Sequence, residues 1–250
     1  IEECFHYMVL ARKIAEAFRT PVYVLSDANL ATGQQPFPRP KLEKDWFAGP
    51  IDQSAWKEGT GAFEWNEETG LSKRPIPGQP GGMYTLTGLA HNRKGLVTYD
   101  PDNNQDTCAL RSRKLSVFKD TLKPPTIQGK DSGDLLIVGW GSTYGAIQEA
   151  IEKAHDNDLS VSAIHLRFLS PLEPGLKEIF AKFKKVMTVE INYSDDINDP
   201  YITQDNRRYS QLAWLLRART LVDVDCFSNV KGQPLAPKTI LDKITQELKG

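Results

Sequence analysis

From residue 131 onward, short apolar runs and amphipathic stretches take strict turns, and no other feature constrains the fold of this chain as much. Strands are predicted at 135–140, 161–168, 186–191 and 221–227, each a near-continuous apolar segment. Between and after them lie helical patterns at 143–155, 173–183, 207–218 and 237–248. In the first, Ile147, Ala150, Ile151 and Ala154 share a face. In the third, Tyr209, Leu212, Ala213 and Leu216 do, and in the last Ile240, Leu241, Ile244 and Leu248. Strands that are apolar throughout must be covered on both faces, and helical crossovers make neighbouring strands parallel. The expected fold class is therefore α/β with a mostly parallel sheet.

The rest of the chain reads differently. Residues 1–27 form a helical pattern, with Cys4, Met8, Ala11, Ala15 and Phe18 on one face, followed by the apolar strand 22–25 and Ser26-Asp27. This is the helix-to-strand half of a βαβ unit. Ile1 stands inside that pattern with no capping residue before it, which reads as a piece of a longer chain. Residues 28–130 hold ten of the 16 prolines and eleven of the 18 glycines, and no long periodic segment. Trp46, Trp56 and Trp65 with Phe37, Phe47 and Phe63 are too many aromatics for a free linker, so an ordered excursion is expected that wraps over neighbouring structure or a second subunit. Three regions follow: 1–27, 28–130 and 131–250.

Composition removes several function classes. Thirty-one basic and 32 acidic residues leave a net charge of -1, which offers a nucleic acid nothing to hold. No run of apolar residues is long enough to span a bilayer, and the amino-terminal stretch carries Glu2, Glu3, Arg12 and Lys13, unlike a signal peptide. Cys4, Cys108 and Cys226 are far apart and form no CxxC, so no zinc site or complete iron–sulfur ligand set is encoded, and reduced thiols in a cytoplasm are expected.

Chemistry-bearing candidates cluster at strand ends. Gly139-Trp140-Gly141-Ser142-Thr143-Tyr144-Gly145 is a strand-to-helix turn whose amides would suit an anion, and Ser142 or Thr143 can cap the helix. Its GxGxxxG spacing is one residue off the dinucleotide fingerprint, and the next strand ends on Arg167 where an acidic ribose ligand would stand, which favours a structural turn or subunit contact. His91, with Arg111, Arg113 and Lys114 downstream, can be a phosphate or carboxylate ligand or an ordinary loop histidine. Glu190 ends the third strand at the edge where open α/β sheets place ligands, and is a functional carboxylate, a cap for a neighbouring element or the partner of an arginine across an interface, the last two being favoured. His165 reads as a hydrogen-bonded core histidine, His6 and His155 as surface residues, and Asp195, Asp196, Asp199 and Asp205 as a solvated loop without calcium-loop spacing. No hydrolase elbow, P-loop or kinase set is present.

Three stretches, in this order and spacing, resemble the alpha subunit of 2-oxoacid:ferredoxin oxidoreductases, 2-oxoglutarate type, in its carboxyl-terminal part. Ile1-Glu2-Glu3-Cys4-Phe5 through Pro21-Val22-Tyr23-Val24-Leu25-Ser26-Asp27 resembles the end of a thiamine pyrimidine-binding domain. Gly81-Gly82-Met83-Tyr84 through Thr87-Gly88-Leu89-Ala90-His91 is the second, with Ala90 where the family commonly has an acidic residue. Leu135-Leu136-Ile137-Val138-Gly139-Trp140-Gly141-Ser142-Thr143, Pro171-Leu172 and Val189-Glu190-Ile191-Asn192 resemble a transketolase carboxyl-terminal domain, with Tyr193-Ser194-Asp195-Asp196 where many relatives continue Gly-Gln-Leu.

The resemblance implies a thiamine diphosphate enzyme that decarboxylates a 2-oxoacid, forms acyl-coenzyme A and passes electrons to ferredoxin. It implies a partner beta subunit holding the diphosphate, magnesium and a 4Fe–4S cluster, a homodimer of heterodimers, and no activity or bound cofactor in this chain alone. Catalytic and cofactor-binding residues have no match among the 250. The candidate interface or ligand-edge residues are Gly141, Ser142, Thr143, His91 and Glu190, with no metal ligands. A transketolase or 2-oxoacid dehydrogenase type of thiamine enzyme, which shares the last domain but lacks the long excursion, and a non-enzymatic nucleotide-binding module remain as alternatives.

Overall fold

The computed structural model describes residues 1–41, 43–46, 54–58 and 60–249. Helices α1 (Glu2–Phe18), α2 (Ala28–Thr32) and α3 (Pro101–Lys119) precede an alternating series. That series is β1 (Gly133–Trp140), α4 (Tyr144–Asp156), β2 (Val161–Leu166), α5 (Leu176–Phe180), β3 (Phe183–Glu190), α6 (Gln211–Thr220), β4 (Val224–Ser228) and α7 (Pro237–Lys249). Two compact units result: Ile1–Val24 with Gln34–Thr121, and Leu25–Gly33 with Leu122–Gly250.

The second unit is built on one sheet of order β2-β1-β3-β4, parallel throughout. Odd positions of β1 (Leu135, Ile137) and Met187 and Val189 of β3 meet Ile147 and Ile151 of α4 and Ile240 and Ile244 of α7. Even positions (Leu136, Val138) with Ile164, Leu166, Val186 and Val224 meet Phe180 of α5 and Leu212 and Leu216 of α6. Period-two alternation in a strand clad on both sides places every residue in one core or the other, so β2 is buried along its whole length. Each such aliphatic side chain contributes about 1.5–3 kcal/mol on leaving water.

Both edges of this sheet are occupied. On the β2 side, Gln128 and Ala163 exchange a pair of backbone hydrogen bonds (2.8 and 2.9 Å). On the β4 side the carbonyl of Val224 accepts from Arg217 Nη1 (2.8 Å) and that of Cys226 from Arg207 Nη2 (3.3 Å). Both guanidinium groups lie over the Tyr209 ring, at 4.7 Å for Arg207 and 4.4 Å for Arg217. This employment explains why α6 begins at Gln211 and not at 207: Arg207 and Tyr209 serve the sheet edge ahead of the helix, and Ser210, in extended backbone, is the N-cap.

In the first unit, α1 ends on Arg19 in the left-handed region, and Phe18 packs edge-to-face on Phe118 of α3 at 5.0 Å. The 22–25 stretch, expected to be a strand, carries no ladder among the described residues, because a strand exists only through neighbours that share its hydrogen bonds. The excursion, read as lacking long elements, contains α3. Asp100 caps it through the Asp102 amide (2.9 Å) and Pro101 opens it, but only Thr107, Leu110 and Phe118 are buried, so its apolar stripe is too sparse to show a period. Besides α3, the described residues of the excursion form α2, a single 3-10 turn at Lys44–Trp46, further turns, and isolated bridges of Trp65 with Ser72 and His91 with Val97. Trp46, Trp56, Trp65, Phe37 and Phe63 are half-buried, and Phe47 lies outside the described residues.

Candidate functional site

In a sheet of order β2-β1-β3-β4 the chain reverses direction between β1 and β3, so the carboxyl ends of those two strands flank the crevice where such sheets bind ligands. Three of the five candidate residues, Gly141, Ser142 and Thr143, stand at the end of β1, and Glu190 stands at the end of β3.

At the first helix start, Thr143 Oγ1 donates to the Trp140 carbonyl (2.8 Å) and accepts from the Trp140 amide (3.3 Å), closing the turn on itself. Two of the three glycines of the motif have a structural reason. A Cβ at Gly139 would come within 2.3 Å of Ile147 Cδ1, so its smallness lets α4 close on β1. Gly141 has φ +60, and a Cβ at Gly145 would meet nothing within 4 Å. The amide of Ser142, the group that would greet a phosphate, donates to Asp27 Oδ2 (3.3 Å). Asp27 Oδ1 accepts from the Leu30 amide (3.0 Å), so one carboxylate caps α2 and occupies the anion position of the β1–α4 turn.

At the second helix start, Glu190 is 0% exposed. Its Oε1 accepts from Thr188 Oγ1 (2.8 Å), Ser210 Oγ and the Ala213 amide (3.2 Å), and its Oε2 from the Leu212 amide (3.0 Å) and Asn192 Nδ2 (3.3 Å). Five donors around one carboxylate leave no oxygen for a substrate. Of the sequence readings, functional carboxylate, cap or arginine partner, the geometry is that of a cap, seated where the α6 N-terminus favours negative charge. Both helix starts beside the crevice are thus filled by the chain's own carboxylates, and neither fits a nucleotide or thiamine diphosphate group.

His91 lies in the first unit. Its ring stacks on Phe63 (4.5 Å, 3° between planes), its Nε2 is 3.3 Å from Thr87 Oγ1, and its carbonyl accepts from Asn103 Nδ2 (3.2 Å). The basic residues downstream are engaged elsewhere: Lys114 Nζ on the Arg19 carbonyl (3.0 Å), Arg113 on the Glu67 carbonyl, Arg111 on Cys108 Sγ (3.0 Å). Burial and the neighbouring Arg111 hold the Lys114 ammonium below its ordinary value. His155 is exposed, with Nε2 2.7 Å from the Val161 carbonyl, and His165 is buried in β2.

Sequence reasoning passed over Glu173. It follows the turn after β2, where Leu169 and Leu172 bridge, and is 7% exposed. Oε1 accepts from the Arg167 amide (3.4 Å), while Oε2 has no hydrogen-bond partner. Burial pushes the carboxyl from 4.5 up to about 7, against the opposing pull of the Arg167 amide and its charge. The signal available was a single acid between Leu172 and Leu176. Beside it the carboxyl end of β2 carries Arg167 over the Tyr144 ring at 6.0 Å and His165 edge-on to that ring at 5.0 Å. Among the described residues no group of three or more His, Cys, Asp or Glu is placed to hold a metal ion, and no helix is long and apolar enough to cross a membrane.

Residues 127–195 match the family model for the transketolase C-terminal domain. The chain is 33% identical over 236 residues to the 2-oxoglutarate oxidoreductase subunit KorA of Mycobacterium tuberculosis, which covers 92% of this chain and 33% of that protein. It is 32% identical over 203 residues to a 2-oxoacid:ferredoxin oxidoreductase alpha subunit of Aeropyrum pernix, covering 76% and 30%. Among solved structures it is similar to the 2-oxoglutarate:ferredoxin oxidoreductase of Magnetococcus marinus, determined with 2-oxoglutarate, coenzyme A and succinyl-CoA bound. The TM-score there is 0.77 at 29% identity, over 94% of this chain and 39% of that one. The chain spans about a third of the length of the curated relatives it matches.

Proposed function

The chain is a relative of the alpha subunits of 2-oxoacid:ferredoxin oxidoreductases, 2-oxoglutarate type, and from that kinship we propose that it is the carboxyl-terminal part of such a subunit. In the assembled enzyme the bond between C1 and C2 of the 2-oxoacid breaks, carbon dioxide leaves, and the acyl group forms a thioester with coenzyme A. The electron pair released passes one electron at a time to ferredoxin. The observation that carries this reading is the backbone match over 94% of the chain to the Magnetococcus marinus enzyme.

This chain's share of that work is scaffolding. Three cysteines cannot supply the four thiolates of a 4Fe–4S cluster, and the helix starts at the crevice are closed by Asp27 and Glu190. Thiamine diphosphate, magnesium and the cluster therefore belong on a beta subunit, in a cytoplasmic homodimer of heterodimers. Large exposed apolar side chains in the excursion, Met83, Leu86, Leu89, Leu96 and Tyr99 among them, support a subunit-covered surface. Gly141, Ser142 and Thr143 then act as an interface edge rather than a nucleotide site, Glu190 as an internal support of the sheet unit, and His91 as a packed loop histidine of the first unit.

The test is viologen reduction with 2-oxoglutarate and coenzyme A. Turnover is expected only when the remaining alpha-subunit segment and a beta subunit are co-expressed with this chain. Thiamine-dependent turnover by the 250 residues alone, or transfer to lipoamide in place of coenzyme A and ferredoxin, would refute the assignment.

A further inference from the structure

The segment Leu25–Gly33 belongs to the second unit although the chain on either side of it, Ile1–Val24 and Gln34–Thr121, belongs to the first. Burial of a whole apolar side chain does not explain that membership. Helix α2 has no buried residue, and Leu25 is exposed. What α2 does possess is internal order. The amides of Ala31 and Gly33 donate to the carbonyls of Asp27 (3.0 Å) and Asn29 (2.9 Å), and Thr32 Oγ1 donates to the carbonyl of Ala28 (2.7 Å). A polar link between the segment and the rest of its unit is the Asp27 carboxylate on the Ser142 amide.

We infer that Leu25–Gly33 is a detachable strap, and that the Asp27 carboxylate is the clasp that holds it on the β1–α4 turn. The clasp uses both oxygens at once, Oδ1 on the Leu30 amide inside the strap and Oδ2 on the Ser142 amide outside it. Gly141 is part of the device: it has φ +60, and a Cβ there would approach Asp27 Oδ2 to 3.6 Å. Because an element with no fully buried side chain, Leu30 being only half-buried, opens at little cost, the strap should open and close without the sheet unfolding. When it opens, the amide edge of the crevice beside β1 is exposed, so the strap is a lid carried by the chain itself.

Asparagine separates the two halves of the clasp. Asp27→Asn keeps one side-chain oxygen to cap α2, but its NH2 cannot accept from Ser142. Amide exchange read residue by residue on the full 250-residue chain should show Ser142, Ala31 and Gly33 exchanging about tenfold faster or more in Asp27→Asn, as for losing a hydrogen bond to a charged group. The Ile137 amide in β1 should stay unchanged. Asp27→Ala should add loss of protection at Leu30. Equal Ser142 protection in both variants and the parent would overturn the clasp. Loosening of Ile137 in step with Ala31, or failure of either variant to fold, would overturn the strap, since an element with no buried side chain cannot hold up a sheet.

Discussion

Replacing Glu173 by glutamine should abolish a fall in stability that the parent chain undergoes between about pH 4.5 and pH 7. The carboxyl is 7% exposed, one oxygen is unpartnered, and its ionisation is displaced from 4.5 to about 7, mainly by burial. Across that window the unfolded chain has released its proton while the folded chain retains it. The folded state binds more protons, and stability therefore decreases as pH rises. The contribution is fully present below the unfolded value and is lost by the time pH passes the folded one. A displacement of about 2.5 units corresponds to about 3 kcal/mol at about 1.36 kcal/mol per unit. Glutamine has no proton to lose. Urea unfolding followed by circular dichroism should give Glu173→Gln about 1–2 kcal/mol less stability than the parent near pH 4.5, where its amide is buried without a partner. Near pH 8 the order should invert, with the two curves having moved about 3 kcal/mol relative to each other. Parallel pH profiles for the two chains would show that Glu173 ionises in the fold as it does in water, and the burial argument would be wrong.

Glu190→Ala leaves five donors around an empty position and should cost about 3–5 kcal/mol, read as a large drop in melting temperature of the sheet unit. Gly139→Ala drives a methyl into Ile147 Cδ1 and should destabilise by about 1–3 kcal/mol. Gly145→Ala, in open space on α4, should instead stabilise by about 0.5–1 kcal/mol, and chemical denaturation distinguishes the two. Calorimetry with NADH or NADPH should show no micromolar binding, since Asp27 and Glu190 occupy the helix starts that a dinucleotide phosphate would use; a micromolar isotherm would contradict that occupancy.

The alternation of residues 131–250 made the sheet unit legible because a strand buried on both faces has no freedom to be polar. Val161–Leu166 could hardly be read otherwise, and neither could the Ile240–Ile244 stripe of α7. Local signals also gave the Thr143 turn and the Pro237 helix start. What stayed hidden depends on partners distant in sequence. The Asp27 cap of α2 is a local pattern, but its bond to Ser142 spans 115 positions, and only the folded chain brings them together. Glu190 could be read as a ligand or as a cap until the positions of Ser210 and the α6 amides decided between them. Helix α3 was masked because just three of its 19 residues are buried. Strand-like 22–25 shows the converse: an apolar pattern alone does not make a strand when no described neighbour shares its hydrogen bonds.

The arginine pair stacked on Tyr209 decides how this domain can be approached. A terminal strand offers unpaired carbonyls and amides on which any passing extended chain can add itself, whether a wanted peptide or another copy of the same strand. Here the carbonyls of Val224 and Cys226 are already spoken for by Arg217 and Arg207, and the Gln128 backbone lies against the opposite edge. Main-chain pairing at those positions is closed, which directs a partner there to side chains on the helices and loops. Loss of either arginine would turn the same strand into a template for fibrillar growth, a hazard that could grow without any large change in the melting temperature of the fold.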